Sequence, residues 1–428
     1  MDNFFAGIDL GTSGCRIIVI DENKSIQHTQ SIHYQNPNKQ TPQLWLDSVS
    51  QLLKEQPDFI RKNLKALAID GTSGTILLTD KYGNPTSSIL MYHDLRATQE
   101  AQILKEVMPE ENGGQGASSS LARLLWLLKN EPNANHRHAL HQADYILGTL
   151  ANNYSLSDEN NCLKLGYDVF KRVWLETEMQ QLGIDHSMLP QVFKPSTHVA
   201  MITPKYAKQL QLPESLQLVS GTTDSIAAFI ATGATQIGEA VTSLGSTMVV
   251  KLIADQPIFS AKYGVYSHRL GDQWLIGGAS NSGGKVLRHY FSVKEMEVLT
   301  KMLKPEQLTD LHYYPLIKAG ERFPKADPNK QALLSPRPES DSVFFQGMLE
   351  GIAEIENSAY KKLYELGAPP LTSIRSVGGG SHNNAWTQIR KNIIKVEMVT
   401  PKQSEAAFGS ALLAFQGFND DNDSPTYY

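Results

Sequence analysis

Two stretches far apart in the chain share one plan. "GIDLGTSGCRIIVID" at residues 7–21 and "VTSLGSTMVVKLIAD" at 241–255 each read as an apolar strand, a turn of glycine with Ser and Thr, and a second strand rich in β-branched residues. The two are too far apart for a solenoid repeat, so the economical reading is a duplicated lobe, each copy opening on the same hairpin. Length points the same way. At 428 residues the chain exceeds what one hydrophobic core usually serves, and two domains are expected.

The first copy carries a carboxylate, Asp9, inside its apolar strand. An ordinary turn residue is one account of it. A ligand for phosphate-bound magnesium is another, because hard cations take oxygen donors. Two further glycine segments bear on the choice. "SVGGGSHNNAW" places Gly378, Gly379 and Gly380 after a strand and directly before a helix. "VSGTTDSIAAF" reads as strand, glycine-hydroxyl loop and small-residue helix, with Asp224 at the helix start, either as a cap or as a reactive carboxylate. Glycine turns flanked by Ser and Thr expose N–H groups and hydroxyls that suit phosphate oxygens. "GGASNSGGKVL" has Ala279 and Val286 where a Walker A loop needs Gly and Ser or Thr, and no GxGxxG is present.

Composition narrows the class. A hydrophobic fraction of 41% with 19% charged residues describes a globular chain, and a net charge of −5 gives no basic bias towards nucleic acid or acidic lipid. Cys15 and Cys162 form no disulfide framework or metal spacing, which fits a reducing cytoplasm. The N-terminus enters a strand at once and no run approaches membrane-spanning length, so a soluble protein without a signal peptide is expected. "HRHALH", His136 to His141, is read as a solvated helix end without an acidic partner rather than as a metal site.

"GIDLGTSGCR", "VSGTTDSIAAF", "TSLGST", "SVGGGSHNNAW" and "SEAAFGSALLA" stand in the order and spacing of the FGGY carbohydrate kinases, within the actin, hexokinase and Hsp70 ATPase group. The resemblance covers nearly the whole chain and is strongest to compact ribulose and xylulose kinase-like proteins. It implies an α/β fold of two actin-like, ribonuclease H-like lobes with a cleft between them. Residues 1–228 would form the sugar lobe, completed by a returning helix at 404–428, and 229–403 the nucleotide lobe. ATP and Mg2+ are the implied cofactors and a small sugar the partner, with no nucleic acid or membrane, in a monomer or homodimer.

The implied roles follow residue by residue. Asp224 would be the general base on the sugar hydroxyl and a substrate contact. Asp9 would hold magnesium and touch substrate. Thr12, Ser13, Gly245, Ser246 and Thr247 would meet the γ-phosphate, and Gly378, Gly379 and Gly380 the adenosine. Asn383 and Trp386 would contact the purine, or Trp386 belongs to the helix core. Thr72, Ser73 and Gly74 replace the Gln-Met-His of xylulokinases, leaving Ser73 as a sugar contact in a shallower site. Asp94 and Arg96 bind sugar or pair within a loop, and residues 277–284 line the nucleotide or form a flexible turn. The implied reaction is ATP-dependent phosphorylation of a ketopentose, D-ribulose ahead of D-xylulose, with an ATPase or scaffold of the same fold as the rival.

Overall fold

The strand that carries Asp9 has no polar face. In the computed structural model, which describes residues 3–37 and 39–420, β1 (Phe4–Leu10) is buried almost throughout because both of its faces are covered. Its even positions, Phe4, Ala6, Ile8 and Leu10, enter a core with Trp45, Val49 and Leu52. Its odd positions meet the last helix, Ala406–Asp420. Phe5 packs edge-on against Phe415 with ring centroids 5.0 Å apart, a pairing worth roughly 0.5–1.5 kcal/mol beyond its buried area. At Gly7 a Cβ would stand 2.1 Å from Ala407 O and 2.2 Å from Ala411 N, so only glycine lets the helix cross the strand. Asp9 is the third residue on this face.

The chain divides into two compact units, residues 1–231 with 405–428, and 232–404. The expected returning helix is present over Ala406–Asp420 and packs in the first unit; residues 421–428 of that expectation lie outside the described residues.

In the first unit the chain runs through β2 (Gly14–Ile20), β3 (Ile26–His33), β4 (Leu64–Gly71), β5 (Ile76–Thr79), β6 (His138–His141), β7 (Leu156–Asp158), β8 (Gln191–Phe193), β9 (His198–Met201) and β10 (Gln217–Thr223). A six-stranded sheet forms in the order β3-β2-β1-β4-β10-β9, while β5-β6 and β7-β8 make two small sheets. The strands β3, β2 and β1 are antiparallel, and β1, β4 and β10 run parallel. In the second unit β11 (Glu239–Leu244), β12 (Met248–Ala254), β13 (Tyr266–Leu270), β14 (Gln273–Ala279), β15 (Ser373–Val377) and β16 (Glu397–Val399) form the order β13-β14-β12-β11-β15-β16. Here β14, β12 and β11 are antiparallel, and β11, β15 and β16 parallel. Set aside the edge strands β9 and β13, and each sheet has the same five-strand plan, as the paired hairpins predict. This is a mixed α/β fold.

Two expectations need correction. "SGTTD" is not a loop: β10 continues to Thr223 and the helix Asp224–Ala231 begins at the next residue. Gly221 serves the sheet, since a Cβ there would lie 1.8 Å from Ile69 O, where β10 slips register against β4. The histidine cluster is not a helix end either. His138–His141 is β6, paired with β5, and fully buried His141 sits with Nδ1 2.9 Å from Asp144 Oδ2 and Nε2 3.0 Å from Ser120 Oγ. An acidic partner is therefore present, and it belongs to a structural contact.

Candidate functional site

The first hairpin turn is braced from behind. Gly11 N donates to Gly14 O at 2.9 Å, Tyr34 N to Ser13 O at 2.9 Å, and Gln40 Nε2 to Thr12 O at 2.8 Å. Gln40 is itself held by the Trp45 indole at 2.6 Å. At Gly14 a Cβ would meet Ile32 O at 2.2 Å, so β3 can pass only behind glycine. These carbonyls are engaged by the protein, while Ser13 is exposed and Thr12 half-buried at the tip.

Three carboxylates stand at the C-terminal ends of three adjacent parallel strands. Asp9 lies in register with Asp70 across β1 and β4, and Asp224 follows the last residue of β10. Strand ends of this kind are where α/β folds place ligands. Asp70 is fully buried and accepts from Ser410 Oγ of the last helix at 2.6 Å. Burial first, and the neighbouring Asp9 second, hold its carboxyl well above the usual range. The Asp9 carboxyl is pushed up to about 6, by burial and then by the charge of Asp224, while the Asp70 hydrogen bond and Arg16 pull it down. Oδ1 of Asp9 and Oδ1 of Asp70 are buried and meet no N–H or hydroxyl donor. Asp224 Oδ1 accepts from Ser225 N at 2.6 Å at the start of its helix, where the N-terminal dipole favours negative charge.

Asp70 was missed in the sequence, although "AIDGTSG" repeats the pattern of "GIDLGTSG" and would have pointed to it. Arg123 was missed too. Fully buried within an apolar helix, it donates to Gly74 O at 2.7 Å, to Asp94 O at 2.9 and 3.1 Å, and to Tyr92 O. Its guanidinium thus ties the Thr72–Gly74 segment to the 92–96 segment, and burial draws its pKa down to about 10 against the pull of Asp94. Thr72 gives both its N–H and its hydroxyl to Gln142 Oε1, at 3.1 and 2.8 Å, which leaves Ser73, half-buried, at the head of that turn. Asp94 and Arg96 pair with each other within the loop. Arg96 Nε lies 3.0 Å from both carboxylate oxygens and Nη2 lies 2.8 Å from Oδ2, with the guanidinium 4.8 Å over Trp126.

In the second unit Gly245, Ser246 and Thr247 form the turn between β11 and β12, with Ser246 exposed and Thr247 half-buried. The segment at 277–284 is its seat. Gly284 N donates to Gly245 O at 2.9 Å, Lys285 N to Ser246 O at 3.0 Å, and Arg288 Nη2 to Ser246 Oγ at 2.9 Å. A Cβ at Gly283 or Gly284 would stand 2.8 Å from this turn. Gly378 follows β15 at φ +83, and a Cβ there would lie 3.0 Å from Leu244 C, beside the Gly245 turn. Gly379 is open and Gly380 packs under Trp386 and Leu244.

The triple glycine does not run directly into a helix. A 3-10 turn, Gly379–His382, intervenes before the helix Asn384–Ile394. Two of the residues expected at the nucleotide make bonds within the protein. Trp386 is 2% exposed and its indole donates to Leu349 O at 3.0 Å, so it belongs to the core. Asn383 caps its helix, accepting from Trp386 N at 3.0 Å, and its amide donates to Thr300 Oγ1 at 3.1 Å, which uses the side chain for structure.

No group of three or more His, Cys, Asp or Glu side chains among the described residues is placed to cage a metal ion. Nor is any described helix long and apolar enough to cross a membrane.

Comparison with known proteins agrees with this arrangement. Residues 4–231 match the model of the N-terminal domain of the FGGY family of carbohydrate kinases, and residues 240–417 the model of its C-terminal domain. A xylulose kinase of Staphylococcus epidermidis is 22% identical over 96% of this chain and 87% of its own length. A gluconokinase of Bacillus subtilis is 23% identical over the same shares of 96% and 87%. Among solved structures, a "xyloylose kinase" from Brucella ovis superposes with a TM-score of 0.88 at 22% identity, covering 98% of this chain and 91% of its own. With both domain models matched in order along the chain, this protein belongs to the FGGY family of carbohydrate kinases and is an ATP-dependent sugar kinase.

Proposed function

We propose that the protein transfers the γ-phosphate of ATP to a hydroxyl of a ketopentose, D-ribulose ahead of D-xylulose. The observation that carries this is Asp224, set at the head of a helix at the end of β10 and near enough to Asp9 to raise its pKa. A base must reach the hydroxyl whose proton it takes, and Asp224 sits half-buried at a strand end where a ligand can approach. Asp224 accepts the proton as the hydroxyl oxygen attacks phosphorus and the bond to the ADP oxygen breaks. Little covalent chemistry is left to the protein, so positioning and charge stabilisation carry the rest.

Thr12 and Ser13 in the first unit, and Gly245, Ser246 and Thr247 in the second, each offer hydroxyl or N–H groups of the kind that phosphate oxygens take. The Gly378–Gly380 segment takes the adenosine, with Gly379 as the point of open approach. Asp9 fits a magnesium ion as a carboxylate at the end of β1 whose Oδ1 takes no amide or hydroxyl hydrogen bond, its hydrogen-bonded neighbour being the Asp70 carboxyl. Mg2+ keeps water and substrate phosphates and uses only one or two carboxylates, so a cage of three protein ligands is not required. When bound it neutralises phosphate charge. A cytoplasmic site of action fits the two cysteines, both buried and free.

D-Ribulose is placed first on the resemblance to compact ribulose kinase-like chains, while the Thr72–Gly74 turn, with Thr72 bonded to Gln142, makes a shallow wall with few fixed contacts to a sugar. D-Xylulose is the second reading, favoured by the names of the relatives. A coupled assay of ADP release across D-ribulose, D-xylulose, L-ribulose, gluconate and glycerol tests both. The highest kcat/KM is expected on D-ribulose; a preference for D-xylulose reverses the order, and no release with any of them defeats the kinase reading.

A further inference from the structure

An ion pair sealed inside the second unit is placed where stability alone gives no reason for it. Arg390, on the helix Asn384–Ile394, and Glu356, on the helix Asp341–Glu365, are both 0% exposed. They pair through two parallel bonds, Nε to Oε2 and Nη2 to Oε1, each 2.6 Å. Desolvating two such charges costs about as much as their attraction returns, and well-packed apolar residues commonly serve stability as well or better. What the pair does hold is specific. The remaining Arg390 nitrogen, Nη1, donates to Ser376 Oγ at 2.6 Å, and Glu356 Oε1 accepts from Thr242 Oγ1, which also meets Tyr360 OH at 2.8 Å.

Thr242 and Ser376 are register partners across β11 and β15. Thr242 lies three residues before Gly245 and Ser376 two before Gly378, so each hydroxyl sits just upstream of one glycine turn. The two turns already touch, through Gly378 against Leu244. Hydrogen bonds to fixed charges are directional and stronger than neutral ones, which lets one rigid guanidinium–carboxylate plane set both strand ends at once. We propose that Arg390 and Glu356, acting through Ser376 and Thr242, are positioning residues that fix the spacing of the Gly245 and Gly378 turns for nucleotide. This rests on the reading that those turns hold nucleotide.

The test is the dissociation constant of ADP, measured by calorimetry on the full chain, alongside the melting temperature and the KM for sugar. Thr242→Val and Ser376→Ala each weaken ADP about tenfold, as small misplacements of binding groups do, with sugar KM within about twofold. Thr242→Ser and Ser376→Thr restore ADP affinity. The double variant Glu356→Leu with Arg390→Leu melts at or above the unsubstituted protein yet binds ADP about tenfold more weakly; the two hydroxyl variants carry the readout whether or not it folds. ADP affinity unchanged in Thr242→Val and Ser376→Ala, with only the melting temperature lowered, overturns the inference. Failure of the unsubstituted chain to bind ADP overturns the nucleotide reading itself, and is seen before any substitution.

Discussion

Asp9 and Asp224 were legible because each stands at a strand end and borders a glycine-hydroxyl segment. Asp70 was not, because its role depends on register: it faces Asp9 only since β1 and β4 run parallel with those two residues opposed. Arg123 was hidden for a related reason, since its partners are backbone carbonyls and no carboxylate in the sequence announces it. Buried acids also leave a trace in stability. Asp158 caps a short helix and is pushed up to about 7, by burial and then by Asp144, while its hydrogen bonds from Asn160 and Asn161 pull it down. A native pKa above the unfolded one means the folded state binds the proton more tightly. Stability from this group is therefore full below about pH 4 and is lost as pH rises through about 7. The difference in unfolding free energy from urea titrations between wild type and Asp158→Asn should shift with pH in the variant's favour by on the order of 2 kcal/mol between about pH 5 and pH 8. A difference that stays constant across that range contradicts this account.

At the scale of elements, the hairpins and most helices could be read from periodicity, including the capped helix at Ser120–Asn130 and the helix at Gln142–Ala151. "SGTTD" was misread because Gly and Thr look like loop residues, whereas Gly221, Thr222 and Thr223 are buried strand residues chosen for close approach to β4 and for the Asn160 hydrogen bond to Thr222. The same economy of space governs the last helix. Gly409 would place a Cβ 1.9 Å from Ala227 O, as Gly7 does against Ala407, so the helix is pressed between β1 and the helix that begins with Asp224. Gly7→Ala should destabilise the protein by about 3 kcal/mol or more, because backbone rather than a mobile side chain is in the way. Chemical denaturation checks it, and a variant as stable as wild type would show that helix and strand separate freely.

At the scale of the molecule, the duplicated hairpins foretold a duplicated lobe, and the structure has two sheets that share one five-strand plan. Sequence could not foretell which of the expected contact residues are engaged in packing. Trp386 and Asn383 went to the helix, Gly379 stayed open, and Ser73 was left at the head of a turn whose neighbour Thr72 is occupied. The account's centre is that Asp224 takes the proton of the acceptor. The most direct measurement compares wild type and Asp224→Asn for formation of phosphorylated D-ribulose from ATP, with ADP binding measured on the same samples. The account predicts phosphorylation lowered by about a hundredfold or more with ADP affinity unchanged; retention of phosphorylation, or loss of ADP binding together with it, would contradict the assignment of Asp224 as the base.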